Sequence, residues 1–134
     1  MFIKTPIPLL IDDKLEPDMG ILYVASYLKR NSDACVKYVD LSVQTPDELA
    51  SIPDVAMYCF STYTANYHLT VEICSYIKQH IKNENAIFIA GGHHATALPD
   101  EVSNDLDYVI VGEGELAMLH LYNQIVSGAC PPNK

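Results

Sequence analysis

The sequence predicts a three-layer α/β domain, with helices on both faces of a five-stranded, mainly parallel sheet. Short apolar, β-branched runs alternate with longer amphipathic segments along 134 residues, the pattern of repeated βα units. The last three runs are nearly continuously apolar, as strands covered on both faces are. Apolar residues make up 49% of the chain and no segment is of low complexity, so one core of ordinary size accounts for the length. The expected domain spans residues 1–128, followed by a short tail, 129–134.

The first strand is read from Ile3 to Ile11, with Pro6 and Pro8 interrupting it and pushing its regular part toward Asp12. Cys35 to Asp40, Val55 to Phe60, Ala86 to Ala90 and Tyr108 to Val111 are the other four. Asp18 to Arg30 reads as a helix with Ile21, Leu22, Ala25 and Leu28 on one face. A longer helix, Ala65 to Lys82, carries Leu69, Ile73, Tyr76, Ile77 and Ile81 at helical spacing, with Thr64 as its expected cap. The closing helix runs from Glu115 to Ser127, with Gly128 placed to end it and Pro131-Pro132 beyond. Thr45-Pro46-Asp47-Glu48 suits the start of one further short helix.

Right-handed crossovers through this chain order give a singly reversing, flavodoxin-type sheet of order 2-1-3-4-5, or a Rossmann-like variant. Either topology places a ligand outside the carboxyl ends of the strands, where the order reverses. The formal net charge of −9 argues against nucleic acid and against an anionic membrane surface, both of which need clustered Lys and Arg. The N-terminus lacks the pattern of a signal peptide and no run is long enough to span a bilayer, so a cytoplasmic location is expected. Cys35, Cys59, Cys74 and Cys130 are scattered singly, without the paired spacing of a zinc or iron–sulfur site.

The loops after the strands carry the candidate chemistry. The third strand leads into Ser61, Thr62 and Tyr63, whose hydroxyls suit the polar rim of a ligand. The fourth runs into Gly91, Gly92, His93, His94, Ala95 and Thr96, where glycines permit close backbone approach. Adjacent side chains diverge, so a ligand contact by main chain and one imidazole is preferred there over metal ligation. The fifth leads into Gly112, Glu113, Gly114 and Glu115, whose amides can face a ligand; the carboxylates are read as helix-capping charge, with an acid/base pair as the alternative. No nucleophile–base pair or metal constellation stands out. The first βα connection lacks the Gly-x-Gly-x-x-Gly fingerprint, which weakens a nicotinamide site despite Asp40. Asp12-Asp13 suits a phospho-receiver, but Ser61 and Gly112 stand where that fold needs an aspartate and a lysine. Gly92→Val is expected to block the loop's approach to a ligand while sparing the core.

Three segments together resemble the cobalamin-binding domain at the N-terminus of B12-dependent radical S-adenosylmethionine enzymes. They are Pro17 through Leu28, Gly91 through Thr96 followed by Leu98-Pro99-Asp100-Glu101, and Asp107 through Glu115. The resemblance implies a corrinoid across the strand ends, with its nucleotide tail running down between the sheet and the last helices. It implies that Ser61 to Tyr63 and Gly91 to Thr96 line corrin and tail, and that Gly112 to Glu115 contact the nucleotide end. Asp12-Asp13-Lys14 stands where methionine-synthase-like domains have Asp-x-His-x-x-Gly, so no lower-face histidine is expected from that loop. The radical domain's cysteine cluster is absent, so the expectation is a stand-alone corrinoid-binding module serving a separate radical or methyltransferase protein, or else a piece of a longer protein. The alternatives are a ligand-free scaffold and a flavin- or nucleotide-binding domain.

Overall fold

A computed structural model describes residues 1–6, 18–42 and 52–129. Five parallel strands form one sheet of order β2-β1-β3-β4-β5: β1 Phe2–Lys4, β2 Tyr38–Asp40, β3 Met57–Ser61, β4 Ile87–Gly91 and β5 Tyr108–Val109. Phe2 stands opposite Tyr38 on one side and Cys59 on the other, so the reversal of strand order falls between β1 and β3. The expected sheet order is therefore the observed one.

Alternation along the strands sorts the core into two layers. Ile3, Tyr58, Phe60, Phe88 and Ala90 face α2, Tyr67–His80, and bury its Tyr67, Ile73, Cys74 and Ile77. Phe2, Cys59, Ile89 and Ile110 face α1, Met19–Asn31, and the C-terminal helix, and bury Ile21, Ala25, Leu28, Met118 and Leu121. Each fully buried large side chain contributes about 1.5–3 kcal/mol of transfer free energy, so both layers are needed to hold the sheet.

Asp18 starts α1 by accepting the amide of Ile21 at 3.1 Å, a cap at the residue where the sequence placed the helix start. The chain then forms two short helices, α3 His93–Ala97 and α4 Pro99–Val102, before α5, Gly114–Val126. Several expectations shift. Residues 93–97, expected as a loop, form a helical turn because Gly92 takes φ 97° and the Thr62 carbonyl and hydroxyl accept the His94 and Ala95 amides that open it. Thr64 does not cap α2; Asn66 holds that position, and the Thr64 hydroxyl turns to His94 instead. The second and fifth strands are shorter than expected, beginning at Tyr38 and ending at Val109. Residues 7–11 of the expected first strand, the 45–48 helix start, Asp12 to Lys14, Cys130 and Pro131-Pro132 lie outside the described residues.

Candidate functional site

A cavity of about 550 Å³ opens at the carboxyl ends of the strands, on the α1/α5 face of the sheet. Its floor is apolar: Phe2, Cys59, Ile89 and Ile110 from the sheet, Ile21 and Val24 from α1, and Met118 from α5. The rim is polar and is built by the loops after β3, β4 and β5. Ser61, Tyr63, Gly91, Gly92, His93, Thr96, Gly112, Glu113, Gly114 and Glu115 all line the cavity, as do Asp18 and Tyr23.

Thr62, His94 and Ala95 are buried behind that rim and hold its loops together. The Thr62 hydroxyl donates to the Gly91 carbonyl at 2.8 Å and accepts the Ala95 amide at 3.1 Å. The His94 amide donates to the Thr62 carbonyl at 2.9 Å, and its Nδ1 pairs with the Thr64 hydroxyl at 3.2 Å. The His94 ring packs on Tyr67 with centroids 4.3 Å apart, and the Tyr67 hydroxyl donates to Asp105. Those contacts tie the β3 and β4 loops into one rigid lip. The Gly112 amide donates to the Thr96 hydroxyl at 3.0 Å and joins the β5 loop to it.

Gly92 is more constrained than a surface turn. Its φ of 97° and ψ of −170° lie in a region essentially reserved for glycine. A Cβ there meets the Thr62 carbonyl oxygen at 2.8 Å and the Thr62 amide at 2.9 Å. The expectation that Gly92→Val spares the core is therefore corrected: the substitution pries the two loops apart. Gly114 meets a different limit, since its Cβ comes within 2.8 Å of Val24 Cγ2, so that with valine at position 24 a glycine is what fits without a shift.

Charge at the rim is acidic, from Asp18, Glu113 and Glu115, with His93 tilted against Tyr63 at a centroid distance of 5.3 Å. The compensating element is the start of α5, where no side chain caps the first amides and Gly114 and Glu115 face the cavity. Burial pushes the Cys59 thiol up to about 11, so the floor presents a neutral thiol rather than a thiolate. Among the described residues no three His, Cys, Asp or Glu side chains gather to hold a metal ion. No helix among them is long and apolar enough to cross a membrane.

The floor residues were legible only as core. Ile21, Cys59, Ile89 and Met118 have the spacing of buried strand and helix positions, and nothing in an apolar pattern separates packed core from the wall of a cavity. The signal that was available is Gly114, a glycine just ahead of the expected start of the closing helix.

A reversing parallel sheet with a cavity at its strand ends, apolar below and polar above, is the architecture of α/β domains that bind small ligands at the point where the strand order reverses. A family model described as the B12 binding domain matches residues 13–122, and the chain belongs to that family. Its cofactor is accordingly cobalamin. No curated protein and no solved structure matched the chain.

The site fits that group. A cavity of about 550 Å³ is too small for a corrin macrocycle but has the size and apolar floor to take a nucleotide tail. The uncapped start of α5 suits the tail's phosphate, and the lip at Gly91 and Gly92 carries no side chain to stand against a ring.

Proposed function

We propose that this domain binds cobalamin with its lower base detached from cobalt, seating the tail in the cavity and presenting the corrin at the strand ends. The observation that carries the reading is the cavity between the sheet, α1 and α5, closed below by Phe2, Ile89 and Met118. Ser61, Thr96 and the first amides of α5, which line the cavity, would hold the ribose and phosphate, and the Gly91–Gly92 lip would support the ring. Tyr63 and His93 stand at the edge of the opening, where they bound the space beside the macrocycle.

When bound, cobalamin supplies a cobalt centre able to exchange an axial group. The protein's own contribution is to hold and orient the corrin and to bury its tail. We further propose that the domain acts as a carrier for chemistry completed by a separate catalytic domain or protein, a radical S-adenosylmethionine or methyltransferase activity being the class the resemblance suggests. The neutral Cys59 thiol and the engagement of His94 within the loop lip both support a holding role over a reactive one.

No lower-face histidine is expected from the first βα loop, because the first histidine in the chain is His68. Electron paramagnetic resonance of the cob(II)alamin complex, prepared with ¹⁵N-labelled protein, tests both points. The expected spectrum lacks axial nitrogen hyperfine structure. Two-line ¹⁵N splitting overturns the absence of a protein ligand and directs attention to His93, whereas three-line ¹⁴N splitting shows the base still on cobalt and overturns the buried tail.

A further inference from the structure

The floor of the cavity also bears on which corrinoid is taken, an inference that rests on the reading above. Corrinoids differ in the lower base at the end of the nucleotide tail: some carry a benzimidazole and others a purine. The residues that meet the deep end of the cavity are Phe2, Ile21, Ile89, Ile110 and Met118, all buried, together with Cys59. The backbone amides of the sheet part of this floor are spent between strands. The Cys59 amide donates to the Met1 carbonyl at 2.8 Å and the Ile110 amide to the Ala90 carbonyl at 2.8 Å. The neutral Cys59 thiol, a weak donor and a weak acceptor, is the one polar side chain these floor residues offer.

We propose that this floor makes the domain selective for corrinoids whose lower base is a benzimidazole and discriminates against those carrying adenine. The two bases are alike in outline and opposite in the polarity of the six-membered ring. A dimethylbenzimidazole presents two methyl groups there, and its free ring nitrogen lies at the ribose end. Adenine presents an amine and ring nitrogens that all require hydrogen-bond partners. The floor matches the first and strips the second of water without replacement. The polar groups that could serve adenine, Ser61, Thr96, Asp18 and the α5 amides, are at the rim, beside the ribose and phosphate. An unpartnered purine edge weakens binding by roughly 10- to 100-fold.

The test compares the dissociation constants of cobalamin, the corresponding adenine cobamide and cobinamide, which lacks the nucleotide, by equilibrium dialysis against the purified protein. The selective floor is supported by cobalamin binding at least about 10-fold more tightly than the adenine cobamide, with the latter falling toward cobinamide. Equal or tighter binding of the adenine cobamide overturns the selectivity and leaves corrinoid binding standing. Failure of all three to bind overturns both. Met118→Gln places an amide on the floor at nearly constant volume. In folded protein it should narrow the ratio at least about threefold, and an unchanged ratio overturns the assignment of the floor as the determinant. Should Met118→Gln fail to fold, the wild-type ratio decides alone.

Discussion

Gly114 and Val24 set the separation of the two helices that wall the cavity, and a double-mutant cycle reads that constraint directly. Adding a methyl group at Gly114 puts carbon within 2.8 Å of Val24 Cγ2. Valine in a helix is nearly confined to one χ1 rotamer, so the clash is relieved by shifting α1 from α5 or by forcing Val24 off its rotamer into the cavity. Overpacking of this kind costs about 1–3 kcal/mol, against which alanine recovers about 0.5–1 kcal/mol of helix propensity over glycine. Gly114→Ala is thus destabilised by up to about 2.5 kcal/mol and binds cobalamin more weakly. Val24→Ala removes two partly buried methyl groups and costs about 1 kcal/mol. In the double variant the new methyl occupies the space just vacated, so its stability returns to within about 0.5 kcal/mol of wild type, a coupling of about 0.5–3.5 kcal/mol. Urea denaturation of the four proteins gives the cycle, and cobalamin titration of the same four shows whether affinity returns with stability. Additive stabilities, with coupling below about 0.5 kcal/mol, refute the close approach of α1 and α5.

Gly92→Ala should destabilise by about 2–4 kcal/mol, from backbone strain and from the contact with the Thr62 backbone, read as a fall in the urea midpoint; a loss under about 0.5 kcal/mol contradicts the positive φ. Thr62→Val keeps the shape but strands the buried Ala95 amide, which should cost about 1–3 kcal/mol and loosen the lip, seen as faster hydrogen exchange at residues 93–97. Stability should also fall at alkaline pH. Burial raises the thiol of Cys59 from 9.0 to about 11 and that of Cys74 from 9.0 to about 12, so the folded state keeps protons that the unfolded state releases. Their contribution is fully present below about pH 9 and is lost as pH rises through 11–12, and a urea midpoint that stays level from pH 9 to 10.5 contradicts it.

The fold was legible because it is written in period and composition. Tyr58 to Phe60 and Phe88 to Ala90 are apolar on both faces, and that alone forces helices onto both sides of the sheet. Helix starts were legible where a side chain makes the cap, as at Asp18. They were missed where tertiary contacts decide: Thr64 has the chemistry of a cap but finds His94, a residue 30 positions away, a better partner. The same limit divides the site. The glycine and hydroxyl loops of the rim were visible because those residue types are unusual at strand ends. The floor was not, because Ile89 and Met118 look the same whether they pack against core or against a ligand. His94 and Thr62 carried the polar signature of ligand contacts, yet the structure puts both behind the rim, holding it.

Corrinoid binding is read most directly by a visible-spectrum titration of the purified protein with hydroxocobalamin, with equilibrium dialysis for the dissociation constant. Saturable one-to-one binding, accompanied by the spectral change of a base released from cobalt, is the predicted result. Binding that leaves the base on cobalt contradicts the tail in the cavity, and absence of saturable binding contradicts the corrinoid site itself.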